Sequence, residues 1–460
     1  MAYPGIQESR IRQLNAREPV HGRYVLYWMQ QSQRAQMNHA LEAAVHEANA
    51  RGQGVVVGFG LTDAYPEANL RHYRFMLEGL KETAETLEQR GIPMTVRLGS
   101  PPEVALELGR EASLLVCDRG YLRHQRLWRE QVARRAACCV SQVESVVVVP
   151  VEAATLMAEI GARTLRPRIH RRMADYLTEV KETPLRVRFA GRRPVGLDLG
   201  DLEAVLNALK IDRRVGAVRR FKGGAAEARR RLADFLNHRL GRYALNHNQP
   251  QTDDTSTMSP YLHFGQISPL YMAMEAAKAA ASQEAKDAFL EEMIVRRELA
   301  CNFTADYDAY TCIPGWARQS LAEHRRDRRP HLYSARQLET AETHDPYWNA
   351  AMREMACTGY MHNYMRMYWG KKILEWSRTP EEGFATTLAL NNKYFLDGRD
   401  PNSYAGVAWI YGVHDRAWPS RAVFGKVRTM VAAGLERKCD IQGYVEKVER
   451  VCRNEDIESD

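Results

Sequence analysis

Between Tyr364 and Trp409 the chain collects residue types that can grip a large planar group. The run Y-M-R-M-Y-W-G-K-K-I-L-E-W, Tyr364 to Trp376, reads as a helix. At about 100° per residue, Trp369 and Trp376 project almost the same way, and Tyr364 and Met367 share a face nearly opposite. A break at Thr379-Pro380 ends this helix. L-N-N-K-Y-F-L-D-G-R-D-P-N-S-Y-A-G-V-A-W follows, with Asn391, Asp397, Asp400 and Trp409 crowded around Gly398 and Gly406. Arg366 inside an aromatic helix, with a Gly-Asp loop after it, suits a grip on a planar, charged cofactor. The same aromatics also suit plain core packing, because such rings bury large areas. This stretch alone leaves both readings open.

Two further constellations carry charge chemistry. T-S-T-M-S-P-Y-L-H-F-G-Q-I-S sets Thr255, Ser256, Thr257, Met258 and Ser259 ahead of a helix. Hydroxyls and free backbone N–H groups at a helix start suit a diphosphate, and the same residues are ordinary helix caps. E-E-M-I-V-R-R-E-L-A-C-N-F, Glu291 to Phe303, puts Glu291, Glu292, Arg296, Arg297 and Glu298 on a helix that also carries Met293, Ile294, Val295 and Leu299. Such a helix is largely buried, so some of its charges must face a cavity or a partner.

The elements that position these residues fall into two halves. After an irregular, polar lead-in over 1–22, short apolar runs predict strands at Tyr24 to Met29, Gly54 to Phe59, Met94 to Leu98, Leu114 to Cys117 and Val146 to Val149. Helical patterns lie between them, through Ala40 to Ala44, Tyr73 to Gln89, Glu103 to Arg110 and Gln125 to Ala136. Alternating strands and helices predict a doubly wound, five-stranded parallel sheet over residues 20–160. No G-x-G-x-x-G follows the first strand, so the usual dinucleotide fingerprint is absent. Any ligand of this domain would sit at the carboxyl ends of the strands. Residues 161–215, with the basic runs Arg163 to Arg172 and Ala190 to Pro194, read as the connection between domains. From 216 to 460 the period is helical throughout, which predicts an all-α domain.

Composition bounds the rest. The chain has 460 residues, 45% hydrophobic and 27% charged, which is ordinary for a globular protein of two domains. A net charge of +8 leans toward an acidic partner such as nucleic acid. The 8 cysteines form no C-x-x-C pair and no zinc-type spacing with histidine, which fits a reduced chain without structural metal. No apolar run approaches the ~20 residues of a membrane span, and the first residues lack the apolar stretch of a signal peptide.

Y-L-H-F-G-Q-I-S, E-E-M-I-V-R-R-E-L, T-H-D-P-Y-W-N-A, R-M-Y-W-G-K-K-I-L-E-W, L-D-G-R-D-P-N and G-V-H-D-R-A-W occur in this order. Together they resemble the class II cyclobutane pyrimidine dimer photolyases of the photolyase/cryptochrome family, over about Tyr24 to Tyr444. The resemblance implies FAD held bent in the helical domain, UV-damaged duplex DNA as partner, and light-driven splitting of a flipped-out dimer. It further implies that Tyr243 and Thr255 to Ser259 grip the flavin phosphates, with Asp400 among the cofactor residues. Arg366 with Asp397 becomes the ion pair beside the flavin ring, and Asn391 faces the flavin N5 edge. Glu292 becomes the acid at the dimer, and Asn248, Tyr364, Met367 and Trp409 the rest of its pocket. Arg416 belongs to the loop that fills the gap left in the duplex.

Trp348, Trp369 and Trp376 become an electron relay. Trp369 and Trp376 are offset ~10.5 Å along an ideal helix, so Trp348 completes the path, and Trp376 is expected at the solvent end beside Lys371, Lys372, Glu375 and Arg378. An antenna pigment of the 8-hydroxy-5-deazaflavin type is the expected ligand of the first domain. The chain departs from the family where relatives read Arg-Asn-Asp-Pro and it reads His247-Asn248-Gln249-Pro250. A monomer is expected, in the cytoplasm (at the nucleoid when on DNA) or in a eukaryotic nucleus. Two rival readings share these motifs: a cryptochrome-like blue-light receptor, and a flavin electron-transfer protein that binds no DNA.

Overall fold

In the computed structural model, which describes residues 3–303 and 307–456, the first half is built on one sheet. Its strands are β1 (Ile11–Gln13), β2 (Tyr24–Trp28), β3 (Gly54–Leu61), β4 (Met94–Leu98), β5 (Ala112–Asp118) and β6 (Cys139–Val143). They lie in the order β1-β6-β5-β2-β3-β4. Strands β2 to β6 are parallel, and β1 pairs antiparallel with β6, Ile11 opposite Val143. Successive residues of one strand serve opposite faces. Val25, Tyr27, Val55, Val57, Leu114 and Val116 meet the helix His39–Arg51. Tyr24, Leu26, Val56, Leu115 and Cys117 meet Val104, Ala105 and Leu108 of the helix Pro101–Gly109. With both faces covered, the strands read as continuous apolar runs.

Two expectations for this half need correction. The lead-in contributes a short helical turn, Glu8–Arg10, and the edge strand β1, so the sheet has six strands rather than five. The last parallel strand is Cys139–Val143, while Val146–Val149 is a buried irregular segment. Its backbone groups are satisfied from elsewhere. Val148 N–H donates to Glu298 at 2.6 Å, Arg297 donates to Val146 O at 2.6 Å, and Arg10 donates to Val148 O at 2.6 Å. A buried apolar run has no period that separates a strand from such a segment.

The connecting stretch is packed into the fold. Ala162–Tyr176 is a helix whose Leu165, Ile169 and Tyr176 join the core, while Arg166 and Arg168 pair with Glu291 and Glu159. The chain then runs along β4, where Leu197 N–H donates to Val96 O. The second half is helical. Its principal elements are Ala225–His238, Pro269–Lys278, Gln283–Leu290 continuing to Asn302, Pro346–Thr358, Asn363–Trp376, Pro380–Tyr394, Pro401–Ile410 and Ile441–Asp456. Among the described residues no helix is long and apolar enough to cross a membrane, and no cluster of His, Cys, Asp or Glu could hold a metal ion.

Candidate functional site

The site is organised by the helix Asn363–Trp376. Pro346–Thr358, which precedes it, closes on Gly359 at φ 69°, where glycine is at ease, and Gly359 O accepts Leu396 N–H at 2.9 Å. His362 then caps the new helix by accepting Tyr364 N–H at 3.2 Å. One side of Asn363–Trp376 enters a core with Trp348, Met352, Tyr444 and Val448, and another meets Phe384, Ile410 and Tyr411. Gly370 leaves no room for a Cβ against Ile410, which lets Pro401–Ile410 approach closely.

Arg366 leaves this helix toward the loop after Pro380–Tyr394. Its Nη2 meets Asp397 at 3.0 Å, its Nε donates to Met361 O at 3.1 Å, and its guanidinium carbon stands 3.8 Å from the centre of the Phe395 ring. Asn391 lies on Pro380–Tyr394 itself, not in the loop after it, and is 4% exposed. Its amide N–H2 donates to Asn392 Oδ1 at 2.9 Å and to Ser403 Oγ at 2.6 Å. Both donors are engaged, which leaves the carbonyl oxygen as the group available to a ligand.

The three tryptophans form a row. Trp348 Nε1 donates to Trp369 O at 2.9 Å, and the Trp348 and Trp376 rings stand 5.5 Å apart at 67°. Trp369 lies 6.3 Å from Phe395, which ties the row to the Arg366–Asp397 pair, and its own Nε1 has no partner among the described residues. Trp376 is not at solvent: it is 2% exposed. Lys371 is also buried, donates to Ile410 O, and burial pushes its pKa down to about 7. Residues 331–344 cover the outer end, with Tyr333 and His344 each 5.3 Å from Trp376. Nothing near Trp376 in sequence announces that cover.

Glu292 sits in a π-helical turn, Glu291–Arg296, inside the helix that runs on to Asn302. Such a turn widens a helix and often marks a functional position. Its neighbours are spoken for: Glu291 pairs with Arg166 at 2.7 Å and Arg296 at 3.3 Å, and Glu298 holds the Val148 and Val149 N–H groups. Glu292 alone of the three acids has no hydrogen bond or ion pair among the described residues. It is exposed at its surface, yet burial by surrounding protein raises its pKa, helped by Glu291 and opposed by Arg296 and His247.

Tyr243 is buried near this acid, and burial together with Glu292 raises its pKa. His247 stacks on Tyr243, ring centres 5.3 Å apart, and its Nδ1 donates to Tyr243 O at 3.0 Å while Nε2 accepts from Asn248 at 2.8 Å. The departure from the family pattern is thus absorbed by protein contacts. In the next segment Thr257 has φ 53°, and Thr255 Oγ1 meets Tyr360 OH at 3.2 Å. The backbone N–H groups of Ser256, Thr257 and Met258 donate to no acceptor among the described residues. Ser259 opens the next helix.

The remaining predicted residues divide. Trp409 is half-buried on Pro401–Ile410, Tyr364 packs on the tryptophan core, and Met367 packs on the opposite cluster. Arg416 is exposed, its guanidinium 5.0 Å from the centre of the Trp418 ring. Asp400 is engaged away from the Arg366–Asp397 pair. It caps Pro401–Ile410 through Asn402 N–H at 2.8 Å and meets His263 at 3.3 Å. Burial would raise its pKa, but His263 and Arg297 hold it down at about 2.

Asp400 lines a separate cavity of about 80 Å³, with Gln30, Thr62, Tyr65, Trp128 and Arg399, at the carboxyl ends of β2 and β3. At the neighbouring switch between β2 and β5, Asp118 instead closes the crevice by accepting N–H from Gln30, Gln31 and Ser32. Phe395 beside Arg366, His362 at the helix cap and Tyr333 against Trp376 carry no sequence signal of their own.

The DNA photolyase family matches residues 25–185. A deoxyribodipyrimidine photo-lyase of Methanothermobacter thermautotrophicus is 46% identical over 96% of this chain and 98% of its own length. One from Arabidopsis thaliana is 40% identical over 92% of this chain and 88% of its own. Among solved structures, a bacterial class III photolyase from Agrobacterium tumefaciens superimposes with a TM-score of 0.69 at 17% identity, covering 93% of this chain and 87% of that one.

Proposed function

Because this chain belongs to the DNA photolyase family, we propose that it is a class II enzyme that repairs cyclobutane pyrimidine dimers in UV-damaged duplex DNA, using light and FAD bound in its helical half. When bound, FAD supplies the light-driven electron; the protein binds, orients and shields. The residues fit such a group. The N–H groups of Ser256 to Met258, without acceptors among the described residues, suit a diphosphate. The Arg366–Asp397 pair, stacked on Phe395, and the free carbonyl of Asn391 suit the polar edge of a flavin. The indole N–H of Trp369, beside Phe395, has no partner among the described residues.

The observation that carries the repair reading is Glu292, an exposed acid without a partner among the described residues, whose pKa desolvation raises toward the neutral form. A neutral carboxyl can donate a hydrogen bond to a pyrimidine carbonyl as negative charge grows there. An electron-transfer protein has no use for that group. Extrusion of the damaged bases is required of any enzyme that acts on bases inside a duplex, and Arg416 with Trp418 is placed on an exposed loop suited to occupy the gap. The separate cavity beside β2 and β3 is the proposed seat of an antenna pigment of the deazaflavin type.

Purified protein should show flavin absorbance, and blue light should remove thymine dimers from UV-treated DNA. Flavin without dimer loss favours the receptor reading, and absence of flavin sinks all of them. For the antenna, added deazaflavin should extend the repair action spectrum beyond that of flavin; an unchanged spectrum refutes it.

A further inference from the structure

The aromatic row as described has no outlet. Trp376, its outer ring, is 2% exposed, so a reductant in solution cannot reach it. Beyond Trp376 lie Tyr333 and His344, both 5.3 Å away, no farther than the 5.5 Å between Trp348 and Trp376. Tyr333 is fixed there by its backbone, whose N–H donates to Trp376 O at 3.2 Å. Its phenolic oxygen accepts the backbone N–H of His344 at 3.0 Å and lies 2.7 Å from His344 Nδ1. With one lone pair so used, the phenolic hydrogen points to Nδ1 as its acceptor. His344 is exposed and stacks on exposed His331 at 3.7 Å, which carries the assembly to solvent.

We propose that Tyr333, with His344 as its proton acceptor, is the outer end of the electron relay and the place where solution reductants refill it. This rests on the reading of Trp369, Trp348 and Trp376 as a relay. With FAD bound, light-driven reduction would draw one electron from the row and leave Trp376 one electron short. One electron then moves from Tyr333 to Trp376, and the phenolic proton moves to His344 Nδ1. Trp376 is restored, Tyr333 becomes a neutral phenoxyl radical, and His344 becomes imidazolium. A thiolate in solution returns one electron to Tyr333, and His344 returns the proton.

The surrounding charges favour that direction. The Lys372 ammonium, paired with Glu375 at 2.7 Å, lies 5.6 Å from the Trp376 ring and opposes a hole on it. His344 must be neutral to accept. Burial, His331 and Lys372 lower its pKa while Asp345 and Glu375 raise it, with a net lowering. The outward step should therefore fail as pH falls far enough to protonate His344.

The test is time-resolved absorption and electron paramagnetic resonance on illuminated, flavin-loaded protein without added DNA. The wild type should show a tryptophanyl signal giving way to a tyrosyl radical. Tyr333→Phe, which keeps the ring, should retain the tryptophanyl signal and lose the tyrosyl one, and His344→Gln should delay the latter. In the dark, an NMR titration of His344 should move upward in Tyr333→Phe, because the neutral ring loses a donor. Tryptophanyl radicals with no tyrosyl radical overturn the extension alone, as does a tyrosyl radical that survives in Tyr333→Phe. An unmoved His344 titration overturns its pairing with Tyr333. Absence of any aromatic radical in the wild type overturns the relay and its extension together.

Discussion

The tryptophan row and the groups left without protein partners in the helical half treat their side chains in opposite ways. On the row side, Trp348, Trp369 and Trp376 are packed among Met352, Met365, Ile373 and Tyr444 with almost no exposed surface. Elsewhere Glu292 is exposed, Trp409 is half-buried, and neither the Glu292 carboxyl nor the N–H groups of Ser256 to Met258 have a partner among the described residues. Electron passage is served by rings held rigidly in a dry medium, where little has to reorganise. Binding is served by groups whose valences have been left open, at a cost in stability that packing elsewhere offsets. A mutation on the row should therefore report in unfolding or photoreduction, and one at Glu292 or Trp409 in DNA binding or repair.

The largest effect expected from that contrast is on folding. Trp348→Ala should lose about 3–5 kcal/mol in urea unfolding, the usual range for emptying a fully buried aromatic site. A loss under 1 kcal/mol would mean that the row is not sealed. Trp376→Phe keeps most of the bulk, so stability should fall by less than about 1.5 kcal/mol. Light-driven reduction of oxidised flavin should nevertheless slow by about 100-fold or more, each 1.4 kcal/mol of added barrier being about tenfold. Chemically reduced Trp376→Phe should still repair DNA at close to the wild-type yield. Normal photoreduction in this variant would return the tryptophans to core packing.

Trp409→Ala tests the other side. Flavin photoreduction should be intact, while affinity for dimer-containing DNA drops by about 1–3 kcal/mol, the range for one lost base stack.

Glu292→Gln sharpens the contrast through pH. The folded protein raises the carboxyl's pKa, chiefly by burial, so the donor is present at low pH and is lost as pH rises through the folded value. The stability it contributes runs the same way, full below the ordinary carboxylate range and lost on the way up. Repair yield should fall with pH in the wild type and stay flat in Glu292→Gln, at about a tenth of the wild-type maximum. Parallel pH profiles would remove Glu292 from the chemistry.

The smallest effect is at the rim. Arg416→Ala should weaken duplex binding by about 1 kcal/mol and lower the salt slope by about 1, with repair of dimers in single strands little changed. Equal losses on both substrates would contradict a gap-filling role.

Much of this molecule was legible in residue order alone. Strands β2 to β5 and most helices follow from apolar period and from Gly and Pro punctuation, which act locally. The motifs carried the resemblance because residue type and spacing survive in the string. Tertiary structure decided what depends on distant partners. Val146–Val149 looks like a strand, but its backbone is claimed by Glu298, Arg297 and Arg10. Asn391 and Asn392, poor helix formers by propensity, are carried in a helix by hydrogen bonds to Ser403 and Glu67.

Of Glu291, Glu292 and Glu298, only the fold shows which is left unpaired, since Arg166 is 125 positions from Glu291. Trp376, beside Lys371, Lys372 and Arg378, reads as a surface residue. Residues 331–344 fold over it and set Tyr333 and His344 at its outer edge. Burial and pairing are properties of what arrives from elsewhere in the chain, and no local pattern encodes that arrival.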